Sequence, residues 1–549
     1  MKPLTKTFGM FRALLKRDWV RLSVWVIMVL LFVGSGVTKF SAIFEVNGKS
    51  SPAQQATIYN LFAGNPAMVA LFGPTPVKNA AAYTIGAVFG QTMTLITALV
   101  FIIVTIVYVA NRTRRDEDEG IAELFRSFQV GKLANTTAVV LIMALLQVVT
   151  TLLLAVILQK VQMESMTSFS SNLLYASGLG AQTFMWAMIT LLVAQIMPDA
   201  GSVKGASMGI LGTLYVIRMY TDTQNISLSW LNPLSWSYLT DVYVKDNWTP
   251  IVLALALSFI ILALSYSLEL RRDVAVSYIP ESRGKEHASA LLQSLTGLTL
   301  RMQRTAFLGW AGGLFILGIV YGSMINGIGD LIKGNSQLAQ MFALDPKAGI
   351  AAMTAQYLTT VFMVMGIITT CYGITSLTRM ASEERKNRQE QLYAGPLSRL
   401  KLYATYTLVA WSLSAIVQFI TVLGLWIAQS GNSSAVEFGK MMTSGMVWVF
   451  PMFFVLSIVS LLIAFLPRFT AVIWVYVGFS FFMGYLGNML KFPQALKDLN
   501  VFAHVFKETS QTVAANTPNW NNLWLILALA VVLTIIGFVG YRRRDLISA

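Results

Sequence analysis

The sequence predicts an all-α polytopic membrane protein. It has twelve transmembrane helices arranged as two parallel six-helix repeats. Three observations carry this reading. The chain of 549 residues is 56% hydrophobic and 12% charged, whereas soluble domains carry about 25% charged residues. Uncharged apolar runs of bilayer-spanning length recur along it. A dense knot of acids and bases, "NRTRRDEDEGIAELFRSFQVGKL" (Asn111 to Leu133), has a counterpart in "SLTRMASEERKNRQEQLYAGPLSRL" (Ser376 to Leu400), 267 positions later.

The spans are expected at 22–44, 84–110, 135–158, 177–197, 204–222, 249–270, 306–326, 353–377, 403–428, 442–466, 471–490 and 520–541. Backbone groups in lipid need internal partners, and these runs are too long and too continuously apolar for barrel strands, so helices are expected. The basic N-terminus precedes an apolar run with no small-residue cleavage site, which reads as a retained first span. A single cysteine, Cys371, excludes an internal disulfide framework.

Basic residues orient the spans. About 28 of the 40 lysines and arginines fall in loops that lie on one side of the twelve-span arrangement. The positive-inside rule therefore places both termini in the cytoplasm. The net charge of +15 is accounted for by topology and attraction to anionic lipid, with no nucleic acid needed.

The repeat is legible at matching landmarks. Arg112, Asp116, Glu117, Glu123 and Lys132 meet Arg379, Glu383, Glu384, Glu390 and Arg399. Pro198 matches Pro467, Leu231-Asn232 matches Leu499-Asn500, and the "RRD" at Arg271 matches the one at Arg543. Six spans per half give both halves one orientation, hence a parallel repeat. The halves are expected at 1–272 and 296–549, joined by a polar cytoplasmic linker at 273–295. "LTGLTLRMQRTAF" resembles the amphipathic opening "FGMFRALLKRDWVRL", so each half is expected to begin with an interfacial helix.

On a helix, Arg112–Asp116, Arg115–Glu119, Arg379–Glu383 and Glu384–Arg388 are i,i+4 pairs, each worth about 0.2–0.5 kcal/mol. A solvated loop needs no more than this. Topology, however, uses bases rather than acids, and acids recur in both knots, which favours a partner surface.

The motifs "TRRDEDEGIAEL" and "TRMASEERKNRQEQLYAGPLSR", together with "VYGSMINGIGDL" (Val320 to Leu331), resemble the permeases of type-2 ABC exporters. The similarity covers essentially the whole chain and is to the twelve-span fused form, the tetronasin-resistance or polyketide-antibiotic exporter permeases. It implies that the loop after the second span of each half is a coupling helix docked on an ATP-binding subunit. The ATPase-coupling residues would be Arg112, Asp116, Glu117, Glu119 and Glu123 in one half, and Arg379, Glu383, Glu384 and Glu390 in the other. Two copies of the ATP-binding subunit would carry ATP and Mg²⁺. The first motif departs from the second in having Gln129-Val130 against Pro396-Leu397. The resemblance also implies outer re-entrant segments at 223–248 and 491–519, whose aromatics Trp230, Trp236, Tyr238, Phe502 and Phe506 equally suit a membrane-interface belt.

This chain itself has no phosphate-cradling loop: "NGKSS" (Asn47 to Ser51) has isoleucine where the first glycine of the motif belongs. It is not expected to be an enzyme by itself. His287 and His504 lie in different loops and form no metal cluster. Charge inside the spans is sparse. Arg218 is expected to pair with Asp222 or to snorkel, and Glu269 closes the sixth span. No titrating carboxylate at mid-membrane suggests ion coupling. The uncharged polar residues Gln91, Gln147, Gln356 and Gln418 are candidates for a substrate path and fit ordinary helix packing equally well. The expected function is ATP-driven export of hydrophobic drug, antibiotic or lipid-like molecules across the bacterial cytoplasmic membrane. A twelve-span ion-coupled multidrug antiporter is the alternative, and a non-transporting sensor a third reading.

Overall fold

The computed structural model describes residues 2–46, 49–50, 52–64, 66–161, 165–273, 276–280, 286–323, 325, 350–385, 388–395, 397–429, 436–486, 495, 498–506 and 518–544. It is all-helical apart from a two-residue antiparallel ladder that pairs Glu45-Val46 with Lys49-Ser50. The chain separates into two compact units, Met1–Gly284 and Lys285–Ala549. Most of the "VYGSMINGIGDL" motif, most of 491–519 and part of 273–295 lie outside the described residues.

The first unit holds α1 (Thr7–Phe44), α2 (Pro52–Phe62), α3 (Pro66–Phe72), α4 (Ile85–Arg112), α5 (Arg114–Asp118), α6 (Ile121–Ser127), α7 (Ala134–Val161), α8 (Phe169–Ile196), α9 (Ala200–Gln224), α10 (Ile226–Ser229) and α11 (Thr249–Arg271). The second holds α12 (Leu295–Ser323), α13 (Ile350–Arg385), α14 (Gln389–Tyr393), α15 (Arg399–Gln429), α16 (Phe438–Met446), α17 (Val449–Phe465), α18 (Val472–Leu486) and α19 (Trp520–Arg543).

Among the described residues, ten helices are long and apolar enough to cross a bilayer, and the chain is a multi-pass membrane protein. The other two expected spans are helical but do not meet that test. The span at 204–222 lies in α9, where Lys204, Gly205, Ser207, Gly209, Gly212 and Arg218 dilute the apolar residues. The span at 471–490 corresponds to α18, apolar but 15 residues long; positions 487–490 lie outside the described residues.

The expected interfacial helices are not separate elements. The amphipathic opening and the first span form one 38-residue helix, α1, and Leu295–Ser323 is likewise unbroken. Nothing interrupts them: no proline lies between Thr7 and Phe44 or within α12. The two helices bury corresponding positions at an offset of 285. Met10, Leu14, Asp18, Val29 and Val33 are buried in α1, as are Leu295, Thr299, Gln303, Leu314 and Gly318 in α12.

Within the first unit α1 packs on α7, and α4 and α11 pack on α8. Within the second, α12 packs on α15, and α13 and α19 pack on α17, the same pairing by position. Gly318 and Gly322 let α12 approach α15 closely, since a Cβ at either would sit 2.4 Å from the Thr421 or Leu425 carbonyl oxygen. Small residues four apart are the usual means of bringing membrane helices together without a hydrophobic driving force.

The landmark asparagines make one contact in both units. Asn232 donates to the Leu214 carbonyl at 2.7 Å and accepts from the Leu234 N–H. Asn500 donates to the Ser480 carbonyl at 3.3 Å and accepts from the Phe502 N–H. Each asparagine thus ties the loop before the last helix to the preceding long helix. Of the loop aromatics, Tyr238 and Phe502 are buried rather than displayed at an interface.

Candidate functional site

The first knot forms where α4 stops. Thr113, with φ −115° and ψ −82°, breaks the helical path between α4 and α5. Residues on either side of it no longer stand one turn apart, so the expected Arg112–Asp116 pair does not form. Arg112 instead donates through Nε (2.7 Å) and a second nitrogen to the fully buried Asp18 of α1, which also accepts from the Tyr108 hydroxyl at 3.2 Å. Asp116 takes Arg17 at 3.1 Å. The Arg115–Glu119 pair forms as expected, at 2.7 Å on the surface.

Glu117 joins three segments. It accepts from Arg114 at 2.9 Å and from Arg272, just beyond α11, at 2.6 Å. Arg114 also donates to the Pro198 carbonyl at 2.9 and 2.7 Å, and Arg272 donates to Gln195 at 2.8 Å. Asp118 accepts from the Ala200 N–H at 2.8 Å. The neighbouring Asp199 caps α9. Burial raises its carboxyl pKa, but hydrogen bonds from the Ser202 hydroxyl and the Ser202 and Gly201 N–H groups, with Arg114 nearby, outweigh that and hold it below the ordinary value.

In the second knot α13 runs unbroken to Arg385, yet two of the expected i,i+4 pairs are replaced. Arg379 donates to the Met302 carbonyl at 2.5 Å, Glu383 pairs with Arg388 at 3.4 Å, and Glu384 pairs with Arg544 beyond α19. Arg388 lies past the end of α13 and is out of helical register with Glu384. Arg544 also donates to the Ile463 carbonyl at 2.9 Å. Glu117–Arg272 and Glu384–Arg544 are therefore equivalent contacts: in each unit the knot is clasped to the end of the last helix. The "RRD" landmarks mark the arginines, but their partner was not legible in the sequence.

The nine candidate coupling residues thus divide. Arg112, Asp116, Glu117, Arg379, Glu383 and Glu384 are taken up by partners within the chain. Glu119, Glu123 and Glu390 are exposed. Glu123 sits on α6 beside Leu124 and Phe128, which are 60% and 63% exposed. Glu390 sits on α14.

The polar residues proposed for a path are not gathered at one place. Gln91 accepts from the Tyr83 hydroxyl and donates to the Gly73 carbonyl at 2.8 Å. Gln418 accepts from Thr369 at 2.9 Å and donates to the Gly445 carbonyl at 3.0 Å. Both are buried and tie helices together. Gln147 is buried on α7 and Gln356 half-buried on α13. Arg218 pairs with Asp222 at 2.6 Å, and both are buried. Asp18 is the residue that sequence reasoning passed over; its signal is that it is the sole acid among six basic residues in the first 21.

The second unit holds the part matched by the family model "Multidrug efflux system permease Rv1217c, C-terminal domain", over residues 292–542. The whole chain is 30% identical over 545 residues to the "Multidrug efflux system permease protein Rv1217c" of Mycobacterium tuberculosis (strain ATCC 25618 / H37Rv), covering 98% of this chain and 95% of that protein. The chain belongs to the multidrug efflux permease family. A multidrug efflux permease is a component of an efflux system, which accords with two knots that each fix a charged surface at the ends of membrane helices.

Proposed function

We propose that the chain is the transmembrane permease subunit of an ATP-driven ABC exporter. It moves hydrophobic drug, antibiotic or lipid-like molecules out of the cell across the bacterial cytoplasmic membrane. The observation that carries this reading is the repeated clasp. In both units a glutamate at the end of the second long helix (Glu384, in its last turn) or just past it (Glu117) is locked to the arginine after the last, and a short helix beyond it exposes another acid, Glu123 or Glu390. A solvated loop has no need of such anchoring. A loop that transmits force does, because displacement of the short helix then moves the span ends behind it.

The two copies of an ATP-binding subunit dock on the two knots. ATP and Mg²⁺ belong to that partner. ATP binding closes the pair and pulls the short helices together, the permease opens outward, and hydrolysis resets it. Leu124 and Phe128 supply apolar contact on the first knot, and the glutamates choose a basic groove. The relative's name supports multidrug cargo, and the buried Asp222 is ion-paired with Arg218 rather than standing alone in the membrane.

Charge reversal tests the docking. The double variant Glu123→Lys with Glu390→Lys is expected to insert normally, because added cytoplasmic positive charge agrees with the topology bias. It is expected to lose the ATP-binding subunit on co-purification, since like charges facing across an interface cost several kcal/mol. Each single variant retains one sound dock and loses less. Full co-purification and wild-type transport by the double variant would show that these acids only solvate their loops.

Topology is a second expected outcome. Both termini are cytoplasmic in this reading. In a background lacking Cys371, cysteines placed in 50–80 or 429–440 should react with an impermeant thiol reagent in intact cells. Those in 111–133 or 378–400 should stay protected until the membrane is opened. The reverse pattern overturns the orientation.

A further inference from the structure

Between α1 and α4 runs a groove of about 860 Å³, within the range of small-molecule sites. Its two ends differ chemically. Arg17, Arg21 and Arg115 stand at one end, and Val24, Met28 and Val104 wall the other. We propose that this groove binds one anionic glycerophospholipid, the phosphate at the arginines and an acyl chain along the valines.

Charge complementarity carries the choice of occupant. The groove is lined by four arginines, including Arg112, against three carboxylates, Asp18, Asp116 and Glu119. That leaves one positive charge, the match for one phosphodiester. The most exposed of these charges is that of Arg21, ion-paired with Asp18 only at 3.7 Å. Asp18 already holds Arg112 through two hydrogen bonds, so Arg21 keeps a side chain 73% exposed. Arg115 is committed to Glu119 at 2.7 Å, but its side chain is 54% exposed and keeps nitrogens for a phosphate.

Length fits as well. From Asn111 back to Val100, α4 rises over eleven residues, about 16 Å at 1.5 Å per residue, close to the ~15 Å of one leaflet's hydrocarbon. The apolar wall is open to the bilayer: Val24, Met28 and Val104 are all exposed.

The shared architecture does not require these cations. At the offsets that superpose the repeats, Arg17, Arg21 and Arg115 correspond to Met302, Ala306 and Ser382, while the clasping Glu117 and Arg272 are kept as Glu384 and Arg544. The groove's arginines are a feature of the first unit. Basic pockets between membrane helices at the lipid-water interface are a recognised means of holding anionic headgroups. The proposal requires neither the ATP-binding partner nor a known cargo.

The experiment uses the purified full chain in detergent, given equal amounts of phosphatidylglycerol and phosphatidylcholine with identical chains. Native mass spectrometry reads the lipid retained. Wild type is expected to keep one phosphatidylglycerol in preference to phosphatidylcholine. Arg21→Gln should bind it about fivefold more weakly, the factor expected for one basic side chain at a charged headgroup. Val104→Trp, which fills the acyl slot, should lower retention of both lipids. Arg115→Gln is a second headgroup variant that keeps the Asp18 cluster intact. Equal retention of the two lipids by wild type overturns the proposal, as does unchanged preference in both arginine variants. It is also overturned if Val104→Trp abolishes binding of a lipophilic dye but leaves phosphatidylglycerol in place, because the groove would then belong to cargo.

Discussion

Replacing Asp18 with alanine is expected to destabilise the first unit by about 3–5 kcal/mol, the usual consequence of leaving one member of a buried ion pair alone. Asp18 is fully buried, and the Arg112 side chain is 11% exposed. The carboxylate accepts two hydrogen bonds from that guanidinium and a third from Tyr108. Without it, the guanidinium loses the carboxylate it is bonded to, and the nearby Asp116 is already engaged by Arg17. The second unit provides the control. Its equivalent of Asp18 is Gln303, which accepts from the Ser376 hydroxyl, while Arg379 turns to the Met302 carbonyl. Gln303→Ala removes a neutral partner and should cost about 1–3 kcal/mol. Denaturant titration of the full chain in mixed micelles distinguishes the two. Asp18→Leu combined with Arg112→Met should recover much of the loss, since an apolar pair of similar volume replaces a buried ion pair at little cost. Equal costs for Asp18→Ala and Gln303→Ala would mean that the buried pair is not what holds α1 to α4.

Arg218→Met is expected to have a comparable effect on stability and a sharper local one. The Arg218 guanidinium pairs with Asp222, donates to the Ala70 and Leu71 carbonyls near the end of α3, and lies 4.7 Å from the Tyr215 ring centroid. Asp222 also accepts from Ser229 at 2.6 Å and Tyr238 at 2.5 Å. One side chain therefore joins α3, α9 and the loop before α11. Its removal leaves Asp222 charged and buried with hydroxyl donors alone, again about 3–5 kcal/mol. Arg218→Lys should not rescue, because a single ammonium cannot reproduce the planar fork that serves a carboxylate and two carbonyls. A cysteine at Leu71, in a background lacking Cys371, should be slow to label in the parent and fast in Arg218→Met. Unchanged labelling would show that α3 is held by its other contacts.

The long helices were legible because uninterrupted apolar runs in lipid leave the backbone little choice. The joining of the amphipathic opening to the first span was not. A change from a basic to an apolar surface changes the environment of a helix without ending it, and α1 carries on through residues 20–23. The knots are legible as a repeat, but of the four expected i,i+4 pairs only Arg115–Glu119 forms. Spacing along one helix suggested i,i+4 partners, whereas Thr113 breaks the register after α4. Arg112 and Arg544 reach carboxylates 94 and 160 residues away, Asp18 and Glu384, and Arg379 a carbonyl 77 residues away, Met302. Periodicity reports which face a residue occupies, not which distant segment arrives there. Gln91 and Gln418 illustrate the same limit. Their amides donate to carbonyls 18 and 27 residues away, Gly73 and Gly445, which no local pattern discloses.

The most direct test of the proposed function is the energy source of transport. The full chain is reconstituted in proteoliposomes with and without its ATP-binding partner, and a fluorescent lipophilic cargo is followed under ATP or under an imposed proton gradient. The expected result is cargo movement that requires both the partner and Mg-ATP, persists when the gradient is collapsed, and is absent with the chain alone. Movement driven by a proton gradient in liposomes containing the chain alone would contradict an ATP-driven permease and establish an ion-coupled antiporter in its place.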